Sequence, residues 1–285
     1  MTDQNAPLCL APLPLSRDPL SRLPAGTVDS HFHVFKAGAV LNVPRSYTPQ
    51  IQTLVQWQDL AARLGMARGV LVQPSVYGVD NSVLVEALCA DPANLRGVVV
   101  IPPETSTDEL ARLDRLGVRG IRINLRNKAG IGLDALEALA PRIRPLGWHV
   151  VFQVGAEAIA SVAELAERHG LTGIIDHLAF MSLDPVGQPL DDLKRALDGG
   201  LLYAKISAPY RLRDTAGHAG YRQAVRSLVD NYTNRLLWGS DWPHTELFDT
   251  MVEDADLIDL SLDVVPPQAR ELVFVRNAEM LYWSR

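Results

Sequence analysis

The chain has 285 residues, of which 47% are hydrophobic and 21% charged, a balance that belongs to folded globular proteins and excludes a disordered one. A formal net charge of −6 excludes nucleic acid as the main partner, because phosphate binding needs a basic surface. The two cysteines, Cys9 and Cys89, suggest neither a disulfide framework nor a cysteine metal site. Residues 1–26 are rich in proline and lack a basic stretch leading into an apolar run, so they are expected to form an extended arm and not a signal peptide. No apolar run approaches the ~18–20 residues of a membrane span. A cytoplasmic protein without a membrane partner is expected.

From residue 27 onward, short β-rich runs recur about every thirty residues. They are TVDSH (27–31), GVLVQ (69–73), GVVVI (97–101), VRGIRIN (118–124), WHVVFQV (148–154), TGIID (172–176), LLYAKIS (201–207) and LLWGS (236–240). Between them apolar residues fall three and four apart, predicting helices over 54–65, 81–90, 107–117 and 156–170 among others. Asn81 and Thr107 stand where helix starts are expected, and Gly65, Gly117 and Gly170 follow helix ends. Eight strands alternating with helices imply parallel pairing through right-handed crossovers. Eight units in one domain spanning 27–285 predict a closed (β/α)₈ barrel. A doubly wound sheet is disfavoured, since no glycine-rich turn follows the first strand. The last residues, 264–285, read as helices closing the barrel around Asn277, although this tail and the proline-rich arm could also meet a neighbouring subunit. A monomer or small homo-oligomer is expected.

In such barrels chemistry sits at the C-terminal strand ends. His31 and His33 share strand parity and leave the same side, while Phe32 points toward the helices. His177 follows strand six, where Asp176 is placed to anchor a loop or orient a histidine. Asp241 ends strand eight, and Gly239, of the same parity, leaves room beneath it. The alternative for Asp241 is a helix cap, but Thr245 could cap a helix starting near residue 245 equally well. His169 suits a helix end, His149 begins a strand at the opposite rim, and His218 has no context.

Strand four alternates Ile121, Ile123 and Leu125 with Arg122, Asn124 and Arg126. The apolar set should face the helices and the arginines the barrel or its mouth. Unpaired guanidinium charge there is costly, so either internal ion pairs or an anionic ligand must complete it. Arg211 and Arg213, after strand seven, favour a small anionic substrate bound bidentately. Tyr47, Ser75, Tyr77 and Asn124 are candidate neutral partners. His31, His33, His177 and Asp241 could hold one Zn²⁺ or Mn²⁺ ion. Strand five, however, offers Gln153 instead of a bridging ligand, and Lys205 is unsuited to ligate a metal unless modified. Metal-free chemistry, with Asp241 as general base, is the expectation.

Four motifs occur in order from residue 27 to about 244: D-x-H-x-H (Asp29, His31, His33), I-D-H-L (175–178), K-I-S (205–207) and W-G-S-D-W-P-H (238–244). Together they resemble the amidohydrolase superfamily, in its amidohydrolase-2 branch. The stretches 73–88, 119–126 and 207–213 are similar to 2-pyrone-4,6-dicarboxylate lactonases and related sugar-lactone hydrolases. The resemblance implies metal-independent hydrolysis of a carboxylate-bearing lactone. Asp241 would activate water and protonate the departing oxygen, and His31, His33 and His177 would hold the carbonyl oxygen. Arg122, Arg126 and Arg211 would hold carboxylates with help from Tyr47 and Ser75. Lys128, Gln153 and Gly155 put the substrate-side contacts of the pyrone enzymes in question here. Rival expectations are a zinc-dependent decarboxylase or amide hydrolase, a lactone isomerase, and a non-catalytic binder of small acids.

Overall fold

The computed structural model describes residues 6–214 and 217–284. Eight strands form one sheet in chain order: β1 (Val28–Phe32), β2 (Arg68–Val72), β3 (Leu95–Val99), β4 (Val118–Asn124), β5 (His149–Gln153), β6 (Gly173–Ile175), β7 (Leu202–Lys205) and β8 (Leu236–Leu237). All seven ladders are parallel. The ring is completed just beyond β8, where Asp241 N donates to His31 O and His33 N to Trp242 O, each at 2.8 Å. This is the (β/α)₈ barrel that the alternating periodicities demand.

The connecting helices are α1 (Leu54–Leu64), α2 (Ser82–Ala90), α3 (Thr107–Arg115), α4 (Ala135–Ile143), α5 (Ile159–His169), α6 (Gln188–Asp198), α7 (Ala219–Tyr232) and α8 (Asp254–Val264), followed by α9 (Pro267–Glu271) and α10 (Asn277–Tyr282). Local chemistry sets their ends. Thr53 and Gln56 form a reciprocal capping box at α1, and Gly65 ends that helix in the left-handed region, which glycine enters without a side-chain clash.

Several expected boundaries differ. Ser106, not Thr107, caps α3 by accepting from Glu109 N. Asn81 makes no cap; its carboxamide instead bonds Val79 O, Val100 O and Val100 N, pinning the loop after β3. No helix starts near residue 245, because the next helix, α8, begins at Asp254. β3 starts two residues before the apolar run, since Arg96 sends its guanidinium out to Tyr282 O and the Trp283 ring.

Strand parity divides the core in two, with one break: a register shift in β1 between Asp29 and Phe32 sends Val28 and Phe32, of equal parity, to opposite sides. Val28, Val70, Val72, Val98, Val151, Ile174, Tyr203 and Leu237 fill the barrel, while Phe32, Leu71, Ile121, Ile123 and Phe152 face the helices. Each such side chain, when fully buried, contributes about 1.5–3 kcal/mol. Leu125 departs from the expected alternation: the strand has ended at Asn124, and Leu125 is exposed. At the N-terminal end α10 plugs the barrel with Ala278 and Tyr282, the latter edge-on to His149 at 4.6 Å. Side chains therefore seal one end and leave the C-terminal ends of the strands for polar groups. No helix among the described residues is long and apolar enough to cross a membrane.

Candidate active site

Asp29 fixes the frame. Its two oxygens accept from His31 N, Ser240 N, Ser240 Oγ and Trp57 Nε1, tying β1 to α1 and to the segment after β8. Gly69 makes room for this. A Cβ there would lie 2.4 Å from Trp57 and 2.7 Å from Phe32, whose rings stack at 4.0 Å. The carboxylate of the D-x-H-x-H motif therefore carries structure, and the two histidines, past the register shift that follows Asp29 in β1, carry the site.

His31 and His33 emerge at the end of β1 with Nε2 atoms 3.2 Å apart. His33 Nδ1 lies 2.7 Å from Val72 O; a carbonyl only accepts, so Nδ1 bears the proton and Nε2 of the neutral ring is a lone pair. His31 Nδ1 lies 3.0 Å from Lys205 Nζ and 3.2 Å from Asp176 Oδ1. His177 stands in a turn whose residues 177–180 all have φ between 47° and 54°. Left-handed backbone costs these non-glycine residues roughly 1–2 kcal/mol each, and the turn brings His177 over the barrel with Nδ1 2.8 Å from Ser207 Oγ. Asp241 is left-handed too (φ 60°).

These elements converge on one oxygen. Asp241 Oδ1 is 3.6 Å from His31 Nε2, 4.0 Å from His33 Nε2 and 3.5 Å from His177 Nε2. Its other oxygen is held by Tyr210 Oη and Arg211 Nε, both at 2.7 Å. Burial opposes ionisation of Asp241, but the Arg211 charge and then the three imidazoles outweigh it and hold the carboxyl well below its usual range. Burial likewise keeps the imidazoles neutral. It lowers His33 to about 3, helped by Arg122, and His177 to about 4 against the pull of Asp241. Asp176, despite its burial, is held well below the usual range by Lys205 and His31.

The expected substrate arginines divide. Arg211 is committed within the protein, through Asp241 and through Nη2 to Thr245 O at 2.8 Å. Arg122 is buried, donates from Nη1 to Gln73 O at 3.1 Å, and has Nη2 3.3 Å from Asp176 Oδ2. Its Nε has no partner among the described residues. Arg126 is exposed and stacks over Phe180, 3.9 Å from the ring centre. Arg213 is exposed as well, and its carbonyl accepts from Leu183 N. Asn124 turns its Oδ1 onto Arg126 N and Asn127 N, and Tyr77 Oη accepts from Lys36 N. Tyr47 and Ser75 line the site cavity together with Arg122, His177 and Asp241; its volume of about 10 Å³ is room for roughly one water molecule.

Sequence reasoning passed over Tyr210, Glu246 and Asn127. Tyr210 carried a usable signal, being the neighbour of Arg211 in the loop after β7. Glu246 and Asn127 carried none, because both lie in turns whose path follows no periodicity.

The Nε2 atoms and Asp241 Oδ1 also suit one divalent ion. Donor separations of 3.2–4.0 Å bracket the roughly 3.4 Å edge of a tetrahedron with ~2.1 Å bonds. His31, His177 and Asp241 can each offer a ligand atom within 4.8 Å of the others. On the far side of His31 the Lys205 ammonium already lies 3.0 Å from Asp176, which disfavours a second cation there.

Comparison with known proteins accords with this geometry. The model of the amidohydrolase family matches residues 28–283. A 2-pyrone-4,6-dicarboxylate hydrolase of Comamonas testosteroni is 33% identical over 93% of this chain and 92% of its own. A 4-sulfomuconolactone hydrolase of Hydrogenophaga intermedia is 32% identical over 97% and 95%. Among solved structures, a "probable 2-pyrone-4,6-dicarboxylic acid hydrolase" of Acinetobacter baumannii with citric acid bound superposes with a TM-score of 0.80, at 26% identity, covering 90% of this chain and 99% of that one.

Proposed function

The chain belongs to the amidohydrolase family, and from that premise we propose that it is a hydrolase that opens a small, carboxylate-bearing lactone by adding water to the ring carbonyl. The observation that carries the reading is the single carboxylate oxygen, Asp241 Oδ1, facing three imidazole nitrogens at 3.5–4.0 Å. The relatives named above hydrolyse lactones, and their names describe anionic substrates.

In this reading Tyr210 and Arg211 fix Oδ2 and so aim Oδ1 at water. As the water oxygen bonds to the ring carbonyl carbon, its proton passes to Asp241. The ring C–O bond then breaks, and Asp241 returns that proton to the departing oxygen. The new acid leaves as a carboxylate and releases one proton to solvent. Lys205, donating to His31 Nδ1, would leave Nε2–H on His31. Ser207, donating to His177 Nδ1, would do the same for His177. Both N–H groups can then stabilise the carbonyl oxygen as it gains charge. Arg122, with its unpartnered Nε, takes the substrate carboxylate beside Tyr47 and Ser75.

A second reading draws on the donor spacing. His31, His33, His177 and Asp241 would hold a single divalent ion, which would supply Lewis-acid polarisation and lower the pKa of water. The two free thiols, Cys9 and Cys89, are compatible with the reducing cytoplasm that we propose as its location.

The test is a panel of carboxylated lactones assayed in heavy-oxygen water, before and after chelation, with metal analysis of the protein. Hydrolysis should put one solvent oxygen into the new carboxylate, whereas simple isomerisation need not incorporate any. Activity that survives chelation supports the protein-only route, and activity lost and restored by zinc supports the ion. No turnover of any lactone would remove the proposal.

A further inference from the structure

One wall of the cavity is built from three side chains that fix one another's orientation. Asn124 Oδ1 accepts from the backbone N–H groups of Arg126 and Asn127, which forces its Nδ2 to face Asn127 Oδ1, 3.3 Å away. From the other side, Asn127 Nδ2 donates to Glu246 Oε1. A carboxylate only accepts, so two independent contacts give Asn127 the same orientation. Asn127 therefore offers Oδ1 to Gln153, whose Nε2 donates to it at 2.7 Å. The remaining amide oxygen, Gln153 Oε1, is left buried without a hydrogen-bond partner among the described residues. Gln153 is 6% exposed and lines the cavity.

Two residues that line the cavity thus each carry a buried polar atom without a partner among the described residues, and the two are of opposite kind. Arg122 Nε is a cationic donor and suits a carboxylate. Gln153 Oε1 is an acceptor and suits a hydroxyl. A carboxylate placed against Gln153 would find no donor in this wall and would face Glu246, whose Oε2 is 3.8 Å from Arg211 Nη1. Glu246 thereby stands where a second substrate carboxylate would otherwise be drawn to Arg211. Burying an unpaired anion beside another acceptor is strongly unfavourable.

We infer that Glu246, acting through Asn127 on Gln153, selects a lactone that carries one carboxylate and a hydroxyl donor, and rejects one with a second carboxylate at this wall. The inference rests on the lactonase reading and narrows its substrate class. Glu246 and Asn127 are positioning residues; Gln153 is the contact that the ligand meets.

The experiment uses two stable ring acids that differ only in the group in question, 3-hydroxybenzoate and isophthalate, titrated calorimetrically into the full-length protein. The native protein should bind 3-hydroxybenzoate at least tenfold more tightly. In Glu246→Gln the charge beside this wall is gone while Asn124 still orients Asn127, so isophthalate should gain and that preference should shrink at least tenfold or reverse. In Gln153→Leu, 3-hydroxybenzoate should weaken at least about fivefold while isophthalate changes little. A merely structural role would lower both affinities together. Isophthalate bound equally or better by the native protein, an unchanged ratio in both variants, or no binding of either probe overturns the inference. The lactone panel fails or succeeds separately, since it reads turnover and not this ratio.

Discussion

Asp241 is a carboxylate whose two oxygens have different neighbours. Oδ2 accepts from a phenol and a guanidinium at 2.7 Å, while Oδ1 faces imidazoles at 3.5–4.0 Å. Only Oδ1 is free to exchange a proton, and Asp241→Asn removes that capacity while leaving an amide oxygen able to accept from Arg211. The variant should keep its fold by circular dichroism and lose at least about 10²-fold in turnover, the usual scale for an acid–base group. Hydrolysis within a fewfold of the native rate would take Asp241 out of the chemistry. The alternation read from β4 also meets its limit at this scale. Parity sends Arg122 inward and Ile121 outward, but it says nothing about which partner a guanidinium finds. Arg211, expected at a substrate carboxylate, lines the cavity and also donates from Nε to Asp241, whose backbone is left-handed.

At the scale of elements, the site depends on how closely the segment after β8 approaches β1. Gly239 is what permits it. A Cβ at this position would stand 2.8 Å from His31 N and 2.9 Å from His31 Cβ, and neither atom can yield without moving the strand that carries the imidazole pair. Gly239→Ala should therefore lose about 1–3 kcal/mol of stability, as overpacking does, and lower kcat by shifting His31 away from Asp241. Urea unfolding and steady-state kinetics check this together; native values for both would show that the two strands are not in critical contact. The N-terminal arm belongs to the same scale. Cys9 N donates to Thr48 O and Leu10 N to Leu247 O, and Cys9 Sγ accepts from Glu246 N at 3.3 Å. It braces the turn that presents Glu246. A proline-rich stretch announces an extended segment, but it does not say that the segment ends against the mouth of the barrel.

For the whole molecule, the buried imidazoles make stability depend on pH. His33 and His177 stay neutral in the folded state down to about 3 and about 4, whereas their ordinary value is 6.5. Below pH 6.5 the unfolded chain binds protons that the folded chain refuses, so stability present above 6.5 is lost as pH falls toward 4. Each such group removes about 1.4 kcal/mol per pH unit in that window. Between pH 7 and pH 5 the two should remove on the order of 4 kcal/mol, seen as a fall in the urea midpoint; a midpoint unchanged across that range would contradict their burial as neutral rings. The sequence by itself determined the eight-fold βα order, the inward and outward faces of the strands, and the strand ends at which His31, His33, His177 and Asp241 emerge. Those features follow from periods of 2 and 3.6 residues and from the closure of a parallel sheet, all of them local or topological. Only the tertiary structure decided that Arg211 would hold Asp241, that Lys205 would lie between Asp176 and His31, and that Glu246 would orient Gln153 through Asn127. These contacts join residues that are 30, 29 and 174, 119 and 26 positions apart, through turns with left-handed backbone. No repeating pattern along the chain encodes which distant donor meets which acceptor; that is settled when the loops fold over the barrel and most buried polar groups find a partner.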